Sequence, residues 1–227
     1  MKDDVVLLAV TKMLSGFCIG GISLSTGKWV RPVKEHGTIL LGDIRYQDGT
    51  VMRPFDVVRF ELTSHRPKPP HIEDWVCDFI KARPELVGRL EDEKRWRFLK
   101  RFAVSGGERA ILSGNLSLIL CSPTPTAASF FLDNYSGKYD ARVYVRGIES
   151  KRGIPVTDLK WRALGRMLLT TENPLKLSAA KLRAVVGIRQ IYLALGLSRL
   201  HEGRHWPLVV GVHTFPDYES EIDYSQP

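Results

Sequence analysis

The chain has 227 residues, 44% of them hydrophobic and 26% charged, and a formal net charge of +8. This composition excludes global disorder, and the length suffices for a buried core without a disulfide or metal staple. Cys18, Cys77 and Cys121 are widely spaced with no CxxC pair, which fits buried free thiols in a reducing compartment. The first apolar run, Val5 to Val10, is too short for a signal-peptide core or a membrane helix, so the cytoplasm is expected and no membrane partner.

Asp4 to Met13 predicts a first strand. Ser15-Gly16 breaks it, Phe17 to Leu24 resumes, Ser25-Thr26-Gly27 turns, and Lys28 to Val33 returns as a strand. In that last strand Lys28 and Val30 share one side, Trp29 and Arg31 the other. His36 to Gly49 is a polar, Gly-punctuated loop around Thr38 to Leu41. Pro54 to Leu62 alternates as a strand, and Pro67, Pro69 and Pro70 enforce an extended exit. Ile72 to Arg83 places Trp75, Phe79 and Ile80 near helical spacing. Leu86 to Phe102 continues that helical region after Pro84. Leu116 to Cys121 is a short strand, and Ser122 to Thr126 a turn and linker.

Ser129 to Leu132 and Tyr139 to Ile148 predict strands around an Asn134–Gly137 turn. Ala141, Val143 and Val145 share one side, Arg142, Tyr144 and Arg146 the other. Lys160 to Leu169 predicts a helix with Thr157 or Asp158 as its N-cap, and Ser178 to Val186 a shorter one. Ile188 to Leu197 and Leu208 to Phe215 close the chain as strands. Many short strands with frequent turns favour barrels or sandwiches over a parallel α/β sheet.

Charge is unevenly placed. Residues 138–204 hold 14 Lys and Arg against 5 Asp and Glu, while residues 205–227 hold no Lys or Arg and 4 acids. A basic region of this kind attracts polyanions. Aromatics interleave with cations at Lys28-Trp29-Val30-Arg31, Arg95-Trp96-Arg97, Lys160-Trp161-Arg162 and Arg204-His205-Trp206. Such pairs suit base stacking beside phosphate contacts. Taken singly, each Trp reads better as a core anchor with a snorkelling neighbour, and it is their recurrence in a basic chain that points to nucleic acid.

Catalytic signatures are missing from the order of residues. No Walker A run and no Gly-x-Ser-x-Gly elbow exist, and Gly16 to Gly21 lies between two strands without a following helix. His201 and His205 are four apart, but Gly203 and Pro207 argue for a loop. His205 with His213 would serve a metal-free ribonuclease. Asp43, Asp56, Asp74, Asp133, Asp158 and Asp217 are scattered, and a Mg²⁺ nuclease needs carboxylates that converge. No cofactor and no metal are expected.

Several stretches resemble a group of bacterial proteins, the dual OB domain-containing proteins. They are Gly27 to Val33, Pro54 to Val58, Pro155 to Leu164, His205-Trp206 and Gly211 to Asp217. The resemblance implies a mainly β chain with some helix: two OB-like β-barrels, at 1–122 with a helical insertion near 72–102, and at 123–227. It implies nucleic-acid binding by fold, for single-stranded nucleic acid or structured RNA. The residues offered for a basic, Trp-containing groove are Lys28, Trp29, Arg31, Arg142, Arg146, Lys160, Trp161, Arg162, Arg199 and His205. The rival readings are a nuclease and a protein-binding adaptor whose interaction strip is the acidic tail from Asp217 to Asp223.

Overall fold

The computed structural model describes residues 1–13, 15–169, 173–187, 189–222 and 224. Strands β1 (Lys2–Met13), β2 (Gly16–Ser23) and β3 (Trp29–Val33) form an antiparallel meander. Residues 34–55 then send Ile39, Ile44, Tyr46 and Met52 into the core beneath it. Strands β4 (Asp56–His65) and β5 (Asp74–Cys77) follow. β5 lies parallel to β3 and antiparallel to β4, and β4 pairs back on β1. The order β1-β2-β3-β5-β4-β1 is therefore a closed five-stranded barrel, the arrangement of an OB domain. Strand β6 (Glu85–Arg89) extends the sheet beyond β4.

The helix expected over residues 72–83 is not formed. β5 occupies its centre, and Ile80, assigned to the same apolar stripe as Phe79, is 85% exposed. Wedging Asp74–Cys77 between β3 and β4 closes the barrel, and this pairing outweighs local periodicity. Likewise β6 takes the start of the expected helix at 86–102. Only α1 (Asp92–Phe102) is helical, with Asp92 and Glu93 in its first turn and Lys100 and Arg101 in its last, complementing the helix dipole.

Helix α1 settles between the two halves of the chain. Its Phe98 and Leu99 join one buried cluster with Val6, Leu8 and Ile22 of the barrel and Leu120, Tyr192 and Ala194 of the later strands. A four-residue turn of helix, α2 (Gly107–Ala110), leads to β7 (Leu118–Cys121).

In the second half, β8 (Pro125–Leu132), β9 (Tyr139–Val145) and β10 (Ile154–Pro155) form a meander. Helix α3 (Leu159–Leu168), strand β11 (Leu175–Ser178) and helix α4 (Ala179–Val186) follow. Strands β12 (Gln190–Leu197) and β13 (Pro207–Phe215) then form a hairpin. The expected start of β12, Ile188, lies outside the described residues. As expected, Asp158 caps α3, its Oδ1 accepting from Trp161 N at 2.7 Å, and Ser178 caps α4.

β7 pairs with β12, and β10 continues into one parallel bridge, Val156 to Val209 on β13. If β7 and β8 are taken as one strand broken at residues 122–124, the succession matches the first barrel. The β10–β13 joint is that one bridge, against three paired residues at β3–β5. Residue 122, the expected boundary, falls between two strands that both pair with later elements.

The C-terminal segment is a strap. Tyr218 is buried in the second core, its hydroxyl donating to Val212 O. The Tyr224 hydroxyl donates to Met52 O of the first barrel at 2.6 Å. Among the described residues no helix is long and apolar enough to cross a membrane.

Candidate nucleic-acid interface

A cavity of about 670 Å³ opens on the outer face of β2 and β3. Strand alternation makes it: Phe17, Ile19 and Val30 point into the barrel core, so Cys18, Gly20 and Arg31 point out. Its other wall comes from the second half, including Leu118, Leu197, Leu208 and Val210. Lys12, Arg31, Lys34, Arg66, Lys68 and Arg199 line it, against two acids, Glu35 and Asp74.

In its wall lies an ionic network, buried except at Arg199. Arg31 is 6% exposed. Its Nε donates to Asp74 Oδ1 at 2.6 Å, and its Nη2 lies 3.1 Å from Glu73 Oε1. Arg199 reaches across from the β12–β13 loop to Asp74 Oδ2 at 2.8 Å, and the Ser117 hydroxyl donates to Glu73 Oε1. Two guanidiniums thus face two carboxylates, balancing the charges that burial would otherwise penalise.

The β4–β5 loop, residues 66–73, folds tightly on itself: Lys68 and His71 exchange both backbone hydrogen bonds. It meets the β12–β13 loop through His71 and His205, whose rings sit edge to face with centroids 5.3 Å apart. His205 Nδ1 donates to Ser198 O at 2.7 Å. His71 is buried with neither ring nitrogen hydrogen-bonded. Burial, and then Arg31 and Arg199, push its pKa down to about 4, so the ring is neutral at pH 7.

The residues singled out from sequence do not converge on one place. Arg31 and Arg199 enter the cavity, and His205 braces its loop. Trp29 shares the outer face with Arg31 as alternation requires, but packs into the cluster beneath α1, while Lys28 is exposed in the preceding turn. Arg142 of β9 pairs with Asp140, and Arg162 of α3 donates to Val156 O and Tyr139 O, away from the cavity. Arg146 lies exposed beside α2.

Lys160 is drawn to Asp217 at 2.7 Å, where Arg95 also pairs. Trp161 is 0% exposed in the second core, packed on Phe130 and Tyr218, which removes it from any groove. Lys28-Trp29 and Lys160-Trp161, alike in sequence, lie at a strand and in a helix respectively. No tryptophan lines the cavity.

Sequence reasoning missed Lys12, Lys34, Arg66 and Lys68. The basic excess in 138–204 contributes only Arg199 to the cavity. A readable signal existed at Arg31, a cation inside an otherwise apolar strand, and at Glu73-Asp74 after the proline run.

The ribonuclease pairing of His205 with His213 is not assembled. His213 is 2% exposed, with Nε2 donating to Leu8 O at 2.9 Å and its ring edge-on to Phe55. The singled-out carboxylates are engaged locally. Asp43 pairs with Lys34, Asp56 with Arg89, and Asp133 with its own turn. Among the described residues no three His, Cys, Asp or Glu form a group that holds a metal. Of the acidic tail, Asp217 is engaged by Arg95 and Lys160, and Asp223 lies outside the described residues.

His213 makes a pH prediction. Burial foremost, helped by Arg95, lowers its pKa from 6.5 to about 3. Below pH 6.5 the unfolded chain therefore binds a proton that the folded protein refuses, and stability falls as pH drops. Asp158, raised to about 6 by burial, acts with the opposite sign but is common to parent and variant. In His213→Gln, the slope of unfolding free energy between about pH 6 and pH 4 should be shallower by up to about 1.4 kcal/mol per pH unit. Urea midpoints across that range measure it, and equal slopes would contradict the buried neutral ring.

OB barrels take oligonucleotides and oligosaccharides on the strand 2–3 face, between the β1–β2 and β4–β5 loops, where this cavity lies. As a class OB domains bind nucleic acids, so the fold is compatible with that activity. No curated protein and no solved structure matches the chain significantly. A family model described as the dual OB-containing domain matches residues 3–212. With the first barrel's strand order and most of the chain covered, the protein belongs to the dual OB-containing domain family.

Proposed function

We propose that the protein binds single-stranded nucleic acid, DNA or RNA, in the cavity on the β2–β3 face. The carrying observation is the lining: six Lys and Arg against Glu35 and Asp74, around a floor of aliphatic side chains. Cations at the mouth suit phosphates, and the aliphatic floor suits the face of a base. The quartet of Arg31, Arg199, Glu73 and Asp74 is already balanced, and Lys34 is paired with Asp43. Attraction therefore comes mainly from Lys12, Arg66, Lys68 and the exposed half of Arg199, whose side chain is 48% accessible. A neutral oligosaccharide has no use for that excess of cations.

Fluorescence anisotropy with short single-stranded DNA and RNA at two salt concentrations tests the reading. Affinity should fall with salt, with a log–log slope near −0.7 for each phosphate held. The variant Lys12→Ala/Arg66→Ala/Lys68→Ala should bind about tenfold to a hundredfold more weakly at low salt, with a slope flatter by about 2. Arg66 and Lys68 are exposed and Lys12 is half-buried, so the fold should survive. No binding at low salt, or an unchanged triple variant, overturns the proposal.

A further inference from the structure

Resting on the nucleic-acid reading, we propose that this cavity takes the free end of a strand and not an interior stretch. An OB groove that tracks a continuous strand runs open along the barrel and holds roughly 4–16 nucleotides. This face is partly covered instead. Opposite β2 and β3 stands the second half of the chain, and the two walls meet at the base. A Cβ built on Gly20 would lie 3.5 Å from Leu118 Cδ1, and Thr11 of β1 is bridged to Asp158.

Two further sides are bordered by fixed contacts. Residues 38–39 are held against the start of β2, where Phe17 N donates to Ile39 O at 2.7 Å and Thr38 Oγ1 to Ser15 O at 3.2 Å. On the side of the β4–β5 loop, the His71–His205 contact and the Arg199–Asp74 pair join the two halves. A chain entering the mouth meets walls where a groove would have an exit. The volume of about 670 Å³ also lies within the roughly 300–1,000 Å³ of sites for one small ligand. The terminal nucleotide goes in, its base on the aliphatic floor, and the next phosphates lie on Arg66, Lys68 and the exposed part of Arg199.

The experiment compares one single-stranded DNA oligomer in linear form with the same sequence ligated into a circle, by competition anisotropy at low salt. Position is read separately from Cys18, which lines the cavity half-buried while Cys77 and Cys121 are buried. Its modification by a small methanethiosulfonate is followed by mass spectrometry with each oligomer. The expected result is a circle at least about tenfold weaker than the linear strand, with Cys18 protected by the linear strand alone.

A circle that binds as tightly as the linear strand overturns the strand-end proposal and leaves nucleic-acid binding standing. Linear binding without Cys18 protection puts the ligand elsewhere and overturns it too. Binding by neither form overturns the proposed function, and this inference with it.

Discussion

Asp74→Asn is expected to lower the unfolding free energy by about 3 kcal/mol. Asp74 is 3% exposed and accepts from both Arg31 and Arg199. Asparagine keeps the shape, but it removes the charge and turns an N–H toward one of the guanidiniums. Stripping one partner from a buried ion pair costs about 3–5 kcal/mol, because the remaining charge stays desolvated. The low end applies here, since Glu73 still faces Arg31 at 3.1 Å and Arg199 is half in solvent. Asp4→Asn, which breaks a pair with Arg59 that is about a third accessible on both sides, should cost far less, because solvent screens that pair.

Urea midpoints at constant m measure both variants. In an Arg31→Met background, Asp74→Asn should cost less than half as much, and the double-mutant cycle reads that coupling. A single-variant loss below about 1 kcal/mol would mean that water reaches and compensates this network.

The same balance bears on the binding proposed at the cavity that this network lines. Four ionised groups with no net charge neither attract nor repel a polyanion at range, so they shape the site without dominating its affinity. Lys12, Arg66 and Lys68 supply the long-range field, Lys34 being paired with Asp43. Salt should therefore act on the mouth of the cavity and leave its base largely untouched.

Much of the fold was legible from alternation and punctuation. Val58, Phe60 and Leu62 against Arg59 and Glu61 announced β4, and Ala141, Val143 and Val145 announced β9. Asp158 before an amphipathic run announced α3 and its cap. β5 was illegible because it is four residues long and its neighbours Phe79 and Ile80 imitate a helical stripe. Only β3 and β4, brought to either side of it, make Asp74–Cys77 a strand.

The site was harder for the same reason. Its cations come from positions 12, 31, 34, 66, 68 and 199. A charge count along the chain weights 138–204, whose basic residues scatter over α3, α4, β9 and the exposed turns. Pairing across the two halves carries information that no window of sequence contains.

Trp161 is where the two readings of an aromatic beside a cation part most sharply. Its ring is fully buried between Phe130 at 5.8 Å and Tyr218 at 5.5 Å, centroid to centroid, and its backbone N–H is the one capped by Asp158. Truncation empties the centre of the second core, so Trp161→Ala should cost about 3–5 kcal/mol. Trp161→Phe should cost less than about 1.5 kcal/mol, since most of the ring volume stays and the indole Nε1 makes no hydrogen bond that could be lost. The Phe variant, folded, should bind single-stranded oligomers within about twofold of the parent, because nothing at the β2–β3 cavity has moved. If Trp161→Ala instead unfolds within about 1 kcal/mol of the parent while oligomer affinity drops tenfold, the ring is reaching nucleic acid. Its place in the core would then be wrong.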